Sequence, residues 1–260
     1  MKQFIIIGFI AAIIVSSCKQ NITLDLKNSA PQIVIEGIIN DQPGQYFVAI
    51  SKSIPYYDSN KVVPVSAAVV VVSDDAGTVD TFKEAALAGR YLSSSIMGTP
   101  GRTYHMSVNI AGQQYDAISK MPPPVPVDSI FVQSFSLGSL RLVQPTVMYQ
   151  DPIGAGNYYR TRLYLNGIPQ SKITLDDDKM TDGKIKSTRV RTDNDIHTGD
   201  TLKAELQCID QPVWNYYNTL NTSTLSSVSA APANPVSNIS NKALGYFTAY
   251  SSKYSKQIIF

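Results

Sequence analysis

The sequence predicts an all-β chain: two immunoglobulin- or fibronectin-like β-sandwich domains in tandem, with one short helix in the second. Three observations carry this. Short segments rich in Val, Ile and Tyr alternate in polarity with a period of two, which sends successive side chains to opposite faces of a sheet. Gly, Pro, Asn and Asp punctuate these segments where turns are needed. A single stretch, "QPVWNYYNTLN", repeats its apolar residues at helical spacing, through Val213, Trp214, Tyr217 and Leu220.

The first half reads as strands at "QIVIEGII", "QYFVAIS", "AAVVVVSD", "TYHMSVNI" and "QYDAIS". Asp75-Ala76-Gly77 and Ala111-Gly112 stand between neighbouring strands as hairpin turns. In "GRYLSSSIMGTPGRTYHMSVNI", Gly89, Gly98 and Gly101 sit at chain reversals, where freedom to take positive φ is useful. Tyr104, Met106, Val108 and Ile110 share one face of their strand, which assigns Tyr104 to the core and turns His105 toward solvent. Pro122, Pro123, Pro124 and Pro126 then break the pattern, and such a run favours a stiff extended connection. The domain boundary is placed there, with an N-terminal sandwich over 30–121, a linker over 122–127 and a C-terminal β-rich domain over 128–260.

Beyond the boundary, "DSIFVQSF", "RLVQPTVMYQD", "NYYRTRLYLNG" and "DTLKAELQCID" read as strands, with Asn166-Gly167 as a turn. Pro212 suits the first turn of the predicted helix. From Gln211 to Asn241 no residue is charged, and the later part of that stretch is loop-like in composition. "ALGYFTAYSSKYSKQIIF" supplies two further candidate strands.

The other end carries an address. Lys2 precedes an apolar run from Phe4 to Val15, about the length of a secretory h-region. It falls short of the roughly 20 residues that span a bilayer. Ser16, Ser17 and Cys18 close the run, and "VSSC" resembles a bacterial lipobox. In that pattern the Cys18 thiol takes a diacylglycerol, the peptide is cut before it, and the new amino terminus is acylated. Several acyl chains anchor stably where one is marginal. The expectation is a signal peptide over 1–17, lipidation at Cys18, a tether over 18–29 and membrane attachment through the lipid. An ordinary secretory signal with a chance cysteine, or an uncleaved anchor helix, are the alternatives. Cys208 is the one other cysteine, on a strand face with Leu202, Ala204 and Leu206, and reads as a small core residue.

Composition narrows the function classes. Hydrophobic residues make up 43% and the formal net charge is +2, as in an ordinary globular chain. The basic residues are scattered, so no nucleic-acid footprint is expected. The two histidines, His105 and His197, lack the neighbours of a zinc motif, and no G-x-S-x-G elbow occurs. No catalytic residue, metal or cofactor is therefore assigned. The acidic run Asp176, Asp177, Asp178 and Asp182 offers hard oxygen atoms of the kind calcium prefers. Its spacing departs from the EF-hand pattern and Lys179 and Lys184 offset part of its charge, so a solvated turn is expected.

Tyrosine is abundant, with 15 residues against one Trp. The pairs Tyr56-Tyr57, Tyr158-Tyr159 and Tyr216-Tyr217 each place one ring inward and one outward if extended, and outward rings can stack on sugars or clasp a peptide. The second pair lies in a strand, where tyrosine is common. The first lies in a surface loop and stays open as a ligand contact.

The order and spacing of "IVIEGIINDQPGQYFVAISKSIPY", "AGRYLSSSIMGTPGRTYHMSVNIAGQQYDAISKMPPP", "DPIGAGNYYRTRLYLNG" and "NPVSNISNKALGYFTAYS" resemble the Bacteroidetes lipoproteins catalogued as domain of unknown function 4249. The likeness runs from just after Cys18 to the C-terminus. One departure is Lys242, where a glycine is expected. The resemblance implies an outer-membrane lipoprotein, commonly encoded near a TonB-dependent receptor, with no established activity. The expected function is thus a non-catalytic accessory or binding component of such a transporter. A structural or adhesive surface lipoprotein, adding strands such as "SKQIIF" to a neighbour's sheet, is the alternative. After Cys18 the only early acid is Asp25, and the residues do not choose a leaflet.

Overall fold

The computed structural model describes residues 30–54, 62–137, 140–225 and 234–259. The leader, Cys18, the tether and the Tyr56-Tyr57 pair lie outside them. The all-β reading holds. Eight strands precede the proline run: β1 (Ile33–Asn40), β2 (Phe47–Lys52), β3 (Val63–Pro64), β4 (Val69–Asp74), β5 (Val79–Glu84), β6 (Arg90–Leu92), β7 (Thr103–Ile110) and β8 (Gln113–Lys120). After it come β9 (Ser129–Leu137), β10 (Leu140–Gln150), β11 (Tyr158–Leu165), β12 (Ile168–Pro169), β13 (Thr174–Asp177), β14 (Ile185–Arg189) and β15 (Thr201–Ile209). Helix α1 (Gln211–Leu225) and β16 (Leu244–Ile258) complete the chain.

Alternation sets the first core. Ile35 and Ile39 of β1, Val48 and Ile50 of β2, and Tyr104, Met106 and Val108 of β7 are all buried, while His105 between them is exposed. Gly37 keeps β1 bare where Phe247 crosses it, since a Cβ would lie 2.7 Å from that ring. The turns behave as their residues require. Ala111 and Gly112 have φ of 49° and 88°, and Asn166 and Gly167 have 52° and 82°. Paired positive values of this kind match the twist of a tight hairpin.

One sheet follows the order β12-β11-β15-β16-β1-β2-β6-β5-β4-β7-β8, with β13 beside β11 and β3 beside β2; a second is β14-β10-β9. Residues Pro31–Phe260 form one compact unit containing two main cores. The proline run crosses between them without regular structure; Met121, just before it, belongs to the first core and its Val125 to the second.

At the C-terminus the two expected strands are one. The first half of β16 pairs parallel with β1, from Val34↔Leu244 to Asn40↔Tyr250, and the second half pairs antiparallel with β15, from Cys208↔Ser251 to Thr201↔Ile258. The strand changes partner without changing direction, so no turn residue marks the switch. At the switch Ser251 and Ser252 are fully buried. The Ser251 hydroxyl donates to Pro122 O at 2.7 Å and the Ser252 N–H to Asp41 at 2.9 Å, which satisfies these two groups, while the Ser252 hydroxyl has no hydrogen-bond partner among the described residues.

Cys208 is buried with Leu202, Ala204 and Leu206, as its strand face requires. From Glu205 onward the opposite face of β15 is covered too. Glu205 is 2% exposed and accepts the Tyr164 hydroxyl and the Gln207 amide. Helix α1 starts on Asp210, which caps the Val213 N–H and also accepts the Ser119 hydroxyl and the Lys120 N–H. One carboxylate therefore fixes the helix start to β8.

Candidate functional site

The acidic run does not stay together. Asp176 and Asp177 end β13, which pairs with β11, while the chain turns through Asp178–Lys184 into β14, which pairs with β10. Two strands adjacent in sequence thus enter different sheets, and the turn between them sits where the sheets splay.

Asp178 and Asp182 meet Asp151, the residue after β10, with one carboxylate oxygen of each within 4.8 Å of the others. The loop after Asp151 closes on them. Gly154 donates its N–H to Asp182 at 2.7 Å; Gly156 and Asn157 donate theirs to Asp178 at 2.7 and 2.8 Å. Both glycines have positive φ, 124° and 105°, which aims these N–H groups at the carboxylates. Asp151 accepts the Tyr159 hydroxyl at 2.5 Å and the Gly183 N–H at 3.1 Å. Three carboxylates so placed could hold a hard cation such as calcium. In this fold their oxygens accept hydrogen bonds from the loop, and they work as its anchor.

On the other side of Tyr159 lies Tyr149, their ring centroids 4.9 Å apart. The Tyr149 hydroxyl donates to Asp176 at 3.3 Å, and the Thr188 hydroxyl donates to the same carboxylate. Burial pushes the Asp176 carboxyl above its ordinary range, against the opposing influence of Thr188, Lys186 and Tyr149. The Lys186 ammonium, itself buried, is held by the carbonyl of Asp177.

Asp176 and Thr188 open onto a cleft of about 400 Å³ between β13 and β14, rimmed by Leu175, Ser187, Arg189 and Gln133. Thr146 also lines it. That side chain is 2% exposed, and its hydroxyl has no hydrogen-bond partner among the described residues.

The remaining sequence candidates fall elsewhere. His105 projects from β7, and His197 stands on an exposed turn with Nδ1 3.8 Å from Asp200. Of the strand pair, Tyr159 is the ring that points inward, and the other, Tyr158, is covered by Trp214, with ring centroids 5.7 Å apart. Tyr216 and Tyr217 lie in α1, where strand alternation does not apply, and both are buried against Tyr246. Sequence reasoning missed Asp151 as a member of the acidic cluster. Its available signal was the segment "DPIGAGN", an Asp followed by two glycines able to turn N–H groups inward.

The described residues thus define an all-β protein with two main cores and a splayed, carboxylate-anchored end. The chain belongs to the family described as Domain of unknown function (DUF4249), whose model matches residues 19–256. No curated protein matches it. Among the described residues no helix is long and apolar enough to cross a membrane.

Proposed function

We propose that this protein is a non-catalytic, lipid-anchored component of the outer membrane that serves as an accessory or binding partner of a TonB-dependent transporter. The observation that carries the reading is the apolar run ending at Cys18, after which the family match begins at residue 19. A polar tether followed by a β-rich body suits a module held at a membrane by acyl chains. The carboxylates of the splayed end support a non-catalytic role, because they are occupied in holding a loop.

Affinity purification of the tagged, detergent-solubilised chain from its own membranes, with Cys18→Ala as control, tests this. Co-purification of a TonB-dependent receptor that the control loses is expected. Recovery of the lipidated chain alone, or with copies of itself, would remove the accessory role.

A further inference from the structure

We infer that the cleft between β13 and β14 is a strand-addition site for an extended, acidic peptide segment. The hydrogen-bond ladders show which backbone groups are free. Val190 donates its N–H to Pro145 O at 2.9 Å, and Asp151 donates to Lys184 O at 3.0 Å. The even-numbered residues of β14 therefore face β10, and alternation turns the N–H and C=O of Ser187 and Arg189 away from it. Across the cleft, Asp178 donates to Asn157 O at 3.2 Å, so the even-numbered residues of β13 face β11. Leu175 and Asp177 turn outward, and the Asp177 carbonyl meets the Lys186 ammonium there. Among the described residues nothing pairs with the backbone of Leu175, Ser187 or Arg189, and all three line the cleft.

An open edge of this kind is a template for another strand. Charge selects the occupant. From Lys184 to Arg191 the chain carries four cations and no acid; Lys184, Arg189 and Arg191 are exposed, and Asp176, the acid in the cleft lining, already accepts the Tyr149 and Thr188 hydroxyls. Two copies of β14 set edge to edge would bring like charges together, which disfavours self-pairing. A peptide bearing carboxylates would meet Arg189 instead, and the unpartnered Thr146 hydroxyl offers its side chains a buried polar contact. Among the described residues the lining holds no aromatic platform for a sugar ring.

This goes beyond the membrane role proposed above and does not depend on it, because its test needs neither a receptor nor a lipidated Cys18. The detergent-solubilised full chain is titrated calorimetrically with an end-blocked decapeptide alternating Glu and Thr, and amide exchange is followed. Binding should slow exchange over 184–191. Arg189→Glu should weaken it at least about tenfold, a loss that a charge-assisted hydrogen bond accounts for. Ser187→Pro removes an outward N–H on an edge strand, a position where proline is tolerated, and should weaken binding while leaving the thermal midpoint close to that of the parent. The same peptide with every backbone amide N-methylated, which leaves no main-chain donor on either edge, should not bind.

No binding at millimolar peptide would overturn the inference. So would equal binding of the N-methylated peptide, which would reduce the interaction to charge, or protection confined to another strand. Self-association that protects residues 184–191 without peptide would assign the edge to a second copy and overturn it as well.

Discussion

The Tyr159 hydroxyl donates to Asp151 across 2.5 Å, and both side chains are 1% exposed. A buried carboxylate that loses a donor bears the desolvation cost of the unmet oxygen. Tyr159→Phe is therefore expected to lower unfolding free energy by about 2 kcal/mol in urea titrations. Tyr149→Phe should cost less, since Asp176 keeps its bond from Thr188. Equal losses would show that the two carboxylates share one network.

The pH dependence has a sign set by Asp176. Burial raises its folded-state carboxyl above an unfolded value of about 3.9, so its contribution favours the fold at low pH. That contribution is lost as pH rises through the folded value. Asp176→Asn cannot ionise, so its stability relative to the parent should increase from pH 4 to pH 7 in urea midpoints. Parallel curves would mean that Asp176 is not held up by burial. Asp74 and Asp80 act oppositely. Burial would raise both, but hydrogen bonds from Thr78 and Arg102 to Asp74, and from Ser94 to Ile96 to Asp80, hold them below the usual range. Their contribution is lost as pH falls below about 4, and it cancels in the comparison.

Lys242 has a φ of 59° and follows Asn241 at 54°. This left-handed backbone is costly for a side chain with a Cβ and explains why a glycine is the natural expectation there. Lys242→Gly should raise stability by about 0.5–1 kcal/mol, read as a higher thermal midpoint. The reverse change at Gly245 should be severe. A Cβ there would lie 2.0 Å from Ile35 O at a φ of 93°, so Gly245→Ala is expected to cost about 3 kcal/mol or more by loosening the β1–β16 pairing.

Cys208 is 2% exposed, and burial pushes its thiol up to about 11. The native protein should not expose this thiol to Ellman's reagent at pH 8. After unfolding, protein purified from its membranes should release one equivalent of thionitrobenzoate if Cys18 carries lipid. Two equivalents would show Cys18 to be free and would undercut the anchor.

The elements that were legible in the sequence are those whose cause is local. Alternation places Tyr104 and Cys208 in the interior and His105 outside, because a strand side chain's face follows from its parity. Asn166-Gly167 marks its turn for an equally local reason, since both residues tolerate positive φ. The acidic run was legible as an acidic run, and the cluster built from it was not. Asp151 joins Asp178 and Asp182 only because β10 and β11 lie beside β14 and β13, a proximity that no short segment records. Tyr158 likewise depends on where α1 docks.

By itself, then, the sequence determined the strand-rich class, the hairpin turns, the helix at Gln211 and most of the core faces. Each depends on residues within one or two turns or a few positions along a strand. Tertiary structure alone decided that β16 serves β1 and then β15, that β13 and β14 part into two sheets, and that a cleft with unpaired edges opens between them. Those outcomes depend on register and packing between segments far apart in the chain, where hydrogen-bond partners are chosen by the whole assembly and not by local propensity.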